Sequence, residues 1–372
     1  MALWRNKNLN IFMDICTYCN AGCPQCHRTN PHGLAKQDWL PLIQWSLADF
    51  KKAFPIGTMF ANTFHFCGTW GDPMMAKDIF KIVEYIILNS DSLIVITTNG
   101  SLRDEDFWWD FGALGRKRLR VTFDIDGITQ EMHEKYRRFT KLDTVLTNMK
   151  MLSQTPARAE SQTILFKHNE NYRNEIAELA TKNGSAKHEF VISDRFGLWH
   201  RNSADQNVGG TKNIEHTNHT DKNGNKFILE KANEELLVNP FIAGSTTDKL
   251  SDKIVCRWAM PRNEIIVNFD GQVLPCCYHQ NAVARALDLT RQESAADVNI
   301  TPEYIEYNNN KEQYNVFHTP LSDIIDSKWF TETLPNSMNS DKPVGQCVNN
   351  CSSRTEKPHQ LRDISLFNGE NV

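Results

Sequence analysis

The chain has 372 residues, 40% of them apolar and 23% charged, with a net charge of −4. That length suits two domains around sizeable cores, the composition is that of an ordered soluble protein, and the slight acid excess argues against a broad nucleic-acid-binding face. No apolar run reaches the ~20 residues of a membrane span and the first residues lack a signal-type apolar segment, so the expectation is a cytoplasmic protein whose ten cysteines are ligands or free thiols, not disulfides.

In chain order, Leu9 to Ile15 reads as a buried strand that hands the chain to a loop holding Cys19, Cys23 and Cys26. Barrel enzymes place their active sites in such loops, at the C-terminal ends of strands. Phe60 to Cys67 reads as the second strand. Asp78 to Leu88 has apolar residues at 79, 82, 83, 86 and 87, a helical spacing. Ser92 to Thr97 is a short β-branched run expected of a buried parallel strand. Helix at Asp104 to Leu114, strand at Leu119 to Ile125 and helix at Leu142 to Leu152 follow. Strand at Gln162 to Lys167, helix at Arg173 to Lys182 and strand at His188 to Ser193 complete the series. Repeated β-then-α units make parallel strands with crossover helices. About six of them predict an α/β fold, a partial (β/α)6 TIM-like barrel.

Composition shifts at about residue 201. Residues 201 to 226 are nearly free of large apolar side chains and read as a mobile linker or surface insertion, with His216 and His219 as solvated loop histidines. A smaller domain begins near residue 250. Within it Ile265 to Phe269, the turn Asp270-Gly271 and Val273-Leu274 predict a hairpin. Cys256 stands before its first strand and Cys276 after its second, so the two thiols can meet at one end of the ribbon, with Cys347 and Cys351 further on. The expected division is therefore residues 1–200, 201–250 and 251–372.

The cysteine spacing carries the chemistry. Iron–sulfur clusters are held by cysteine thiolates, and a four-iron cluster ordinarily takes four. Cys19-x3-Cys23-x2-Cys26 supplies three, which leaves an open position of the kind at which metal sites react. Cys16 offers a fourth thiolate, so a structural zinc site is the alternative reading. Cys67, alone at a strand end, reads as a buried inert thiol.

The Cys19–Cys26 loop resembles the signature of radical S-adenosylmethionine (radical SAM) enzymes, with Gln25 where that family usually has an aromatic residue. The resemblance implies that the open iron chelates the amino and carboxylate groups of SAM, and that an electron from the cluster cleaves SAM to a 5′-deoxyadenosyl radical. Later segments are similar to the family's in the same order. Trp70-Gly71-Asp72-Pro73 stands for its Gly-Gly-Glu-Pro, Thr98-Asn99-Gly100 for its Thr-Asn-Gly, and Asp124-Ile-Asp126-Gly127 for its Ser-x-Asp-Gly, followed by Tyr136-Arg137. By resemblance Gly71 and Asp72 meet the methionine ammonium, with glycine leaving room for the cofactor. Asn99 belongs to the same cofactor-binding set, Asp124 meets the ribose and Arg137 the carboxylate. Asp126 is expected to brace the turn.

The C-terminal cysteines resemble the auxiliary iron–sulfur domains called SPASM or, in the shorter form, twitch. The stretch Pro320 to Phe330 is similar to the helix before their last cysteines. A full SPASM domain has about seven cysteines; five are present here, which implies one auxiliary 4Fe–4S cluster on Cys256, Cys276, Cys347 and Cys351. Cys277 is the alternative to Cys276, since neighbouring side chains in extended chain point oppositely. A zinc ribbon is the alternative for the whole set. The implied function is SAM cleavage followed by hydrogen abstraction from a peptide or protein, fed by a flavodoxin- or ferredoxin-like electron donor. A small carbohydrate- or nucleotide-like substrate is the second reading, and a non-catalytic iron–sulfur or zinc protein is the rival from another class.

Overall fold

The structure is a computed structural model that describes residues 3–5, 8–30, 32–59, 61–193, 195–196, 215–233, 254–256, 258–280, 301–345, 347, 351 and 361–363. Six parallel strands form its centre: β1 (Leu9–Met13), β2 (Ala61–Phe66), β3 (Leu93–Thr98), β4 (Leu119–Asp124), β5 (Arg158–Leu165) and β6 (His188–Ile192), each paired with the next in sequence order. Helices α1 (Leu47–Ala53), α2 (Ile79–Asn89), α3 (Glu105–Gly115), α4 (Gln130–Glu134), α5 (Leu142–Ser153) and α6 (Arg173–Lys182) are carried in the connections. This is the partial (β/α)6 barrel that the alternation predicts. Strand β5 starts four residues ahead of the expected Gln162, because its first half alternates polar with small residues and buries only Ala159 and Ser161.

The two faces of the sheet differ, which is what opens a site. In β3, Ile94, Ile96 and Thr98 are buried while Leu93, Val95 and Thr97 are only partly so, and β1 and β5 alternate in the same sense. The buried side packs on helices such as α2, whose Ile79, Ile82, Val83 and Ile86 are fully covered. Each such side chain contributes roughly 1.5–3 kcal/mol. The other side is the inner wall of the partial barrel. Strand pairing sets Phe12 beside His65, Thr97 beside Thr122, Thr122 beside Glu160, and Asp124 beside Gln162. That wall is mostly polar and only half-buried. The expected burial of β3 thus holds for one face alone.

The C-terminal hairpin forms as predicted, from β9 (Glu264–Val267) and β10 (Val273–Leu274), after a second hairpin described below. It does not stand apart: β9 pairs in parallel with β1, so the ribbon extends the barrel sheet at its first edge. At its turn Gly271 has φ +84, and a Cβ there would lie 2.6 Å from both Asn315 and Phe317, so both conformation and space require glycine. Strand β11 (Leu361–Asp363) closes the opposite edge, antiparallel to β6. Among the described residues no helix is long and apolar enough to cross a membrane.

The polar stretch after residue 200 departs from the expectation. Residues 201–214 and 234–250 lie outside the described residues, but β7 (His216–Thr220) and β8 (Lys226–Glu230) form an antiparallel hairpin. Thr217 and His219 are 2% exposed, so His219 is a packed side chain and not a solvated one. The turn was encoded: Asp221 accepts the backbone N–H groups of Asn223 and Asn225, and Gly224 takes φ +84. In β7 the buried positions are polar, so the hydrophobic pattern that marks a strand is absent there, whereas β8 buries Leu229.

Candidate active site and metal centres

The loop after β1 carries Cys19, Cys23 and Cys26 across the C-terminal ends of the strands. It is held by backbone bonds from Cys26 N–H to the Cys23 carbonyl (3.1 Å) and from Gly22 N–H to the Arg138 carbonyl (3.1 Å). Donors already face its sulfurs: Ala21 N–H lies 3.4 Å from Cys19 Sγ, Asn99 Nδ2 3.9 Å from the same atom, and Arg137 Nη1 3.9 Å from Cys23 Sγ. Burial, then the charge of Asp72 and Cys23, pushes the Cys19 thiol well up. Burial outweighs Arg137 and lifts Cys23 to about 12. Three soft ligands that crowd and desolvate one another, ringed by N–H donors, suit an iron–sulfur cluster, whose irons would compensate the thiolate charge.

Gln25 is fully buried, and it explains how this loop does without the family's aromatic residue at that place. Its Nε2 donates to Thr217 Oγ1 of β7 at 3.1 Å, its Oε1 accepts from Ser193 Oγ at 3.1 Å, and its carbonyl accepts from Arg195 Nη1 at 3.1 Å. The cysteine loop is thereby fastened to the end of β6 and to the β7–β8 hairpin.

The loop after β2 supplies Gly71 and Asp72. Asp72 caps the turn at Pro73 by accepting Met74 N–H, and also accepts Asn99 N–H and the Thr98 hydroxyl, each at 2.9 Å. Burial raises its pKa despite these bonds. A Cβ on Gly71 would lie 2.3 Å from the Cys16 carbonyl oxygen and 2.7 Å from that of Tyr18, so its missing side chain admits the neighbouring backbone of the cysteine loop. Asn99 donates from Nδ2 to Asn20 Oδ1 at 2.8 Å, and Asn20 in turn donates to Ser101 Oγ. Asn20 and Ser101 carried no signal in the sequence.

Asp124, Asp126 and Arg137 meet in one buried group. Arg137 Nη1 lies 2.8 Å from Asp124 and its Nε 2.5 Å from Asp126. Gln162 donates to the other Asp124 oxygen at 2.7 Å, and Ile164 N–H to the other Asp126 oxygen at 2.6 Å. Burial outweighs the adjacent guanidinium and holds Asp124 up at about 6. Arg137 is aimed by the turn after α4: His133 Nδ1 accepts Asp126 N–H, and Thr140, on the other ring nitrogen, donates to the Arg137 carbonyl.

A second centre lies against β9 and β10. Cys256, Cys276, Cys347 and Cys351 line one small cavity together with Trp4, Trp258 and His279. Cys277 is not in that lining and lies within electrostatic range of Cys67 as well as Cys276; the chain enters a helical turn at Cys277, which aims the two adjacent side chains in different directions. Burial, then the neighbouring cysteines, raises Cys276 and Cys347. The thiols border the cavity without closing on a point: among the described residues no three His, Cys, Asp or Glu are gathered for a single ion. None of the ten cysteines is in a disulfide.

One further link was invisible in the sequence. Asp14, 1% exposed at the end of β1, accepts N–H bonds from Thr69 (3.0 Å) and Trp70 (3.3 Å) and from Gln280 Nε2 at 2.6 Å. It joins the loop after β2 to the C-terminal part, and burial lifts it to about 6.

Comparison with known proteins completes the assignment. A family model described as the Radical SAM superfamily matches residues 13–180, and one described as SPASM, an iron–sulfur cluster-binding domain, matches residues 256–352. The chain belongs to the radical SAM enzymes and carries a C-terminal SPASM domain, so its cofactors are SAM, a 4Fe–4S cluster and auxiliary iron–sulfur chemistry. Streptococcus suis SuiB bound to S-adenosylmethionine is similar over 92% of this chain and 72% of that chain, at 13% identity and TM-score 0.54. SuiB bound to precursor peptide SuiA gives 91% and 68%, 13% and 0.53. Native anSMEcpe with bound AdoMet gives 94% and 92%, 12% and 0.52. These likenesses show the shared fold. No curated protein sequence matches the chain.

Proposed function

We propose that this enzyme uses SAM to open radical chemistry on a peptide or protein, with Cys19, Cys23 and Cys26 holding the SAM-binding cluster and Cys256, Cys276, Cys347 and Cys351 holding one auxiliary cluster. Asp72, Asn99, Asp124 and Arg137 would hold SAM, with the Gly71 backbone beside them. When bound, cluster and cofactor together supply a carbon radical able to abstract hydrogen from an unactivated carbon. The chain's own part is to position and shield. Asn99 and Arg137 steady the sulfurs, and the hairpin anchored through Gln25 backs the cysteine loop.

The observation that carries this reading is the order of the site along the sheet. Cysteine loop, Gly71-Asp72, Thr98-Asn99 and Asp124 stand one at each C-terminal end of β1 to β4, above the half-open inner wall. An electron carrier has no use for those edges. The peptide reading is supported by the likeness to SuiB, which has been seen with a precursor peptide. The polar wall of His65, Thr97, Thr122, Glu160 and Gln162 favours, as a second reading, a hydrophilic small molecule. A flavodoxin- or ferredoxin-like donor would deliver the electron, and a reducing cytoplasm suits ten cysteines of which none forms a disulfide.

The test is anaerobic reconstitution followed by incubation with SAM and dithionite. Formation of 5′-deoxyadenosine is the expected result. Full iron loading with no 5′-deoxyadenosine would overturn the enzyme reading in favour of an electron carrier, and stoichiometric zinc at the C-terminal cysteines would overturn the auxiliary cluster. Candidate peptides and carbohydrate-like compounds are then compared by transfer of deuterium into 5′-deoxyadenosine.

A further inference from the structure

Beside the four C-terminal cysteines stands a residue that the cluster reading leaves without a task. His279 is 1% exposed, three residues after Cys276, and lines the same cavity. Each of its ring nitrogens is engaged. Nδ1 lies 2.8 Å from the Tyr304 hydroxyl, and Nε2 lies 3.6 Å from Cys347 Sγ, within range for an N–H bond to sulfur.

The protons on this path can be placed. Tyr304 is itself 4% exposed, and its hydroxyl has one hydrogen to give; a neutral imidazole donates from one nitrogen and accepts on the other. If Tyr304 donates to Nδ1, the ring hydrogen must sit on Nε2, which points it at Cys347 Sγ. The opposite arrangement would put two lone pairs, on Nε2 and on a thiolate, face to face in a buried pocket. Tyr304 thus selects the tautomer, as the outer partner of a ligating or donating histidine ordinarily does. The tyrosine comes from the helix Pro302–Asn309, pinned by Trp329 Nε1 donating to the Glu303 carbonyl at 2.9 Å and by Tyr307 donating to the Val273 carbonyl at 2.7 Å. The donor chain is therefore fixed to β10 itself.

We propose that His279, oriented by Tyr304, donates a hydrogen bond to the Cys347 thiolate and so raises the reduction potential of the auxiliary cluster. This rests on the reading of Cys347 as a cluster ligand. The physical reason is that reduction adds negative charge to a cluster and its thiolates, and an N–H donor favours the more negative state; hydrogen bonds to the sulfurs are among the factors that set cluster potentials. His279 acts through Cys347 and is a positioning residue, not a ligand.

The test is a potentiometric titration followed by electron paramagnetic resonance. It uses the full-length chain, with Cys19, Cys23 and Cys26 changed to Ala so that only the C-terminal signal remains. His279→Leu should keep the iron of that background and lower the potential. At a fixed poise the reduced-to-oxidised ratio should fall about tenfold, which for one electron is about 59 mV. His279→Gln, which keeps an N–H donor, should recover part of the shift. Tyr304→Phe removes one atom, leaves the ring in place, and should shift the potential in the same direction, so it decides the matter should His279→Leu fail to fold. An unchanged potential in Tyr304→Phe and His279→Leu overturns the proposal. Loss of iron on His279→Leu with none on Cys347→Ser would overturn it too, by making His279 the ligand. Absence of any cluster signal in the background protein would instead sink the underlying reading of the four cysteines.

Discussion

Replacing Arg137 by Ala separates its two possible roles, holding SAM and neutralising buried carboxylates. Arg137 is 8% exposed, Asp124 5% and Asp126 0%, and the guanidinium is bonded to both at 2.8 and 2.5 Å. Removing it leaves two carboxylates in one desolvated pocket. Breaking a buried ion pair by deleting one partner costs roughly 3–5 kcal/mol, and here a second carboxylate shares the loss. Asp124 offers the escape, since burial already lifts it to about 6 and loss of Arg137 removes the charge that holds it down. In the variant Asp124 should therefore take up a proton. A group whose folded pKa lies above its unfolded value contributes stability that is lost as pH rises through the folded value, so Arg137→Ala should be relatively worst at alkaline pH.

The assay is equilibrium unfolding in guanidinium of the cluster-free chain, run as a double-mutant cycle with Asp124→Asn. We expect Arg137→Ala to lose about 3–5 kcal/mol. The double variant should recover about 1.5–3 kcal/mol of that, because the amide carries no charge to be stranded. If Arg137→Ala unfolds within about 1 kcal/mol of the wild type, with no coupling to Asp124, the neutralising role is refuted. SAM affinity of the loaded enzyme is read separately, and a charge-assisted bond to the cofactor's carboxylate predicts a loss of about one to two orders of magnitude.

Changing Cys19, Cys23 and Cys26 together to Ala should remove about four irons per chain and all SAM cleavage while leaving the C-terminal signal; unchanged iron content would exclude these ligands. Changing Cys256, Cys276, Cys347 and Cys351 to Ala should leave uncoupled 5′-deoxyadenosine formation but abolish product, measured by mass spectrometry. Gly71→Ala should disturb the cysteine loop, since its Cβ would meet the Cys16 carbonyl oxygen at 2.3 Å; normal iron loading with intact SAM cleavage would show that the contact yields. Asp14, lifted by burial from 3.8 to about 6, contributes stability that is present below its unfolded value and lost as pH rises through 6. Between pH 5 and pH 8 the wild type should thus lose roughly 1.5 kcal/mol more than Asp14→Asn, and equal losses in guanidinium unfolding would contradict a raised Asp14.

The barrel was legible because its strands are short apolar runs and its helices keep a 3.6-residue spacing; helix α6 is bounded as predicted, and α2 and β3 to within a residue or two. The cysteine loops were legible because ligand spacing is local. What escaped was long-range. The bonds of Asp14 to Thr69 and Gln280, and the seating of β9 on β1, join residues up to 266 positions apart, and no periodicity encodes a partner that distant. The hairpin at 216–230 escaped for a different reason. Its buried side chains include Thr217 and His219, which hydrogen-bond each other at 2.7 Å, Thr217 also accepting from Gln25, so the sequence of β7 looks like a solvated loop.

Gln25 and the hairpin explain each other. A phenylalanine at residue 25 could neither donate to Thr217 nor accept from Ser193; Thr217 would keep its bond to His219, but the Ser193 hydroxyl hydrogen would lose its acceptor in a dry pocket, at a cost of about 1–3 kcal/mol. Conversely, without a hairpin offering Thr217 the glutamine amide would be the buried group in want of a partner. The exchange of an aromatic for an amide therefore makes sense only together with a polar-faced strand packed on the cysteine loop. Further contacts seat the hairpin on the same side: Gly33 N–H donates to the Thr220 carbonyl at 2.8 Å, and Arg138 lies 4.2 Å over the ring of Phe227. The departure from the family pattern at residue 25 and the polar insertion at 216–230 are thus one structural feature, read twice in the sequence at points nearly 200 residues apart.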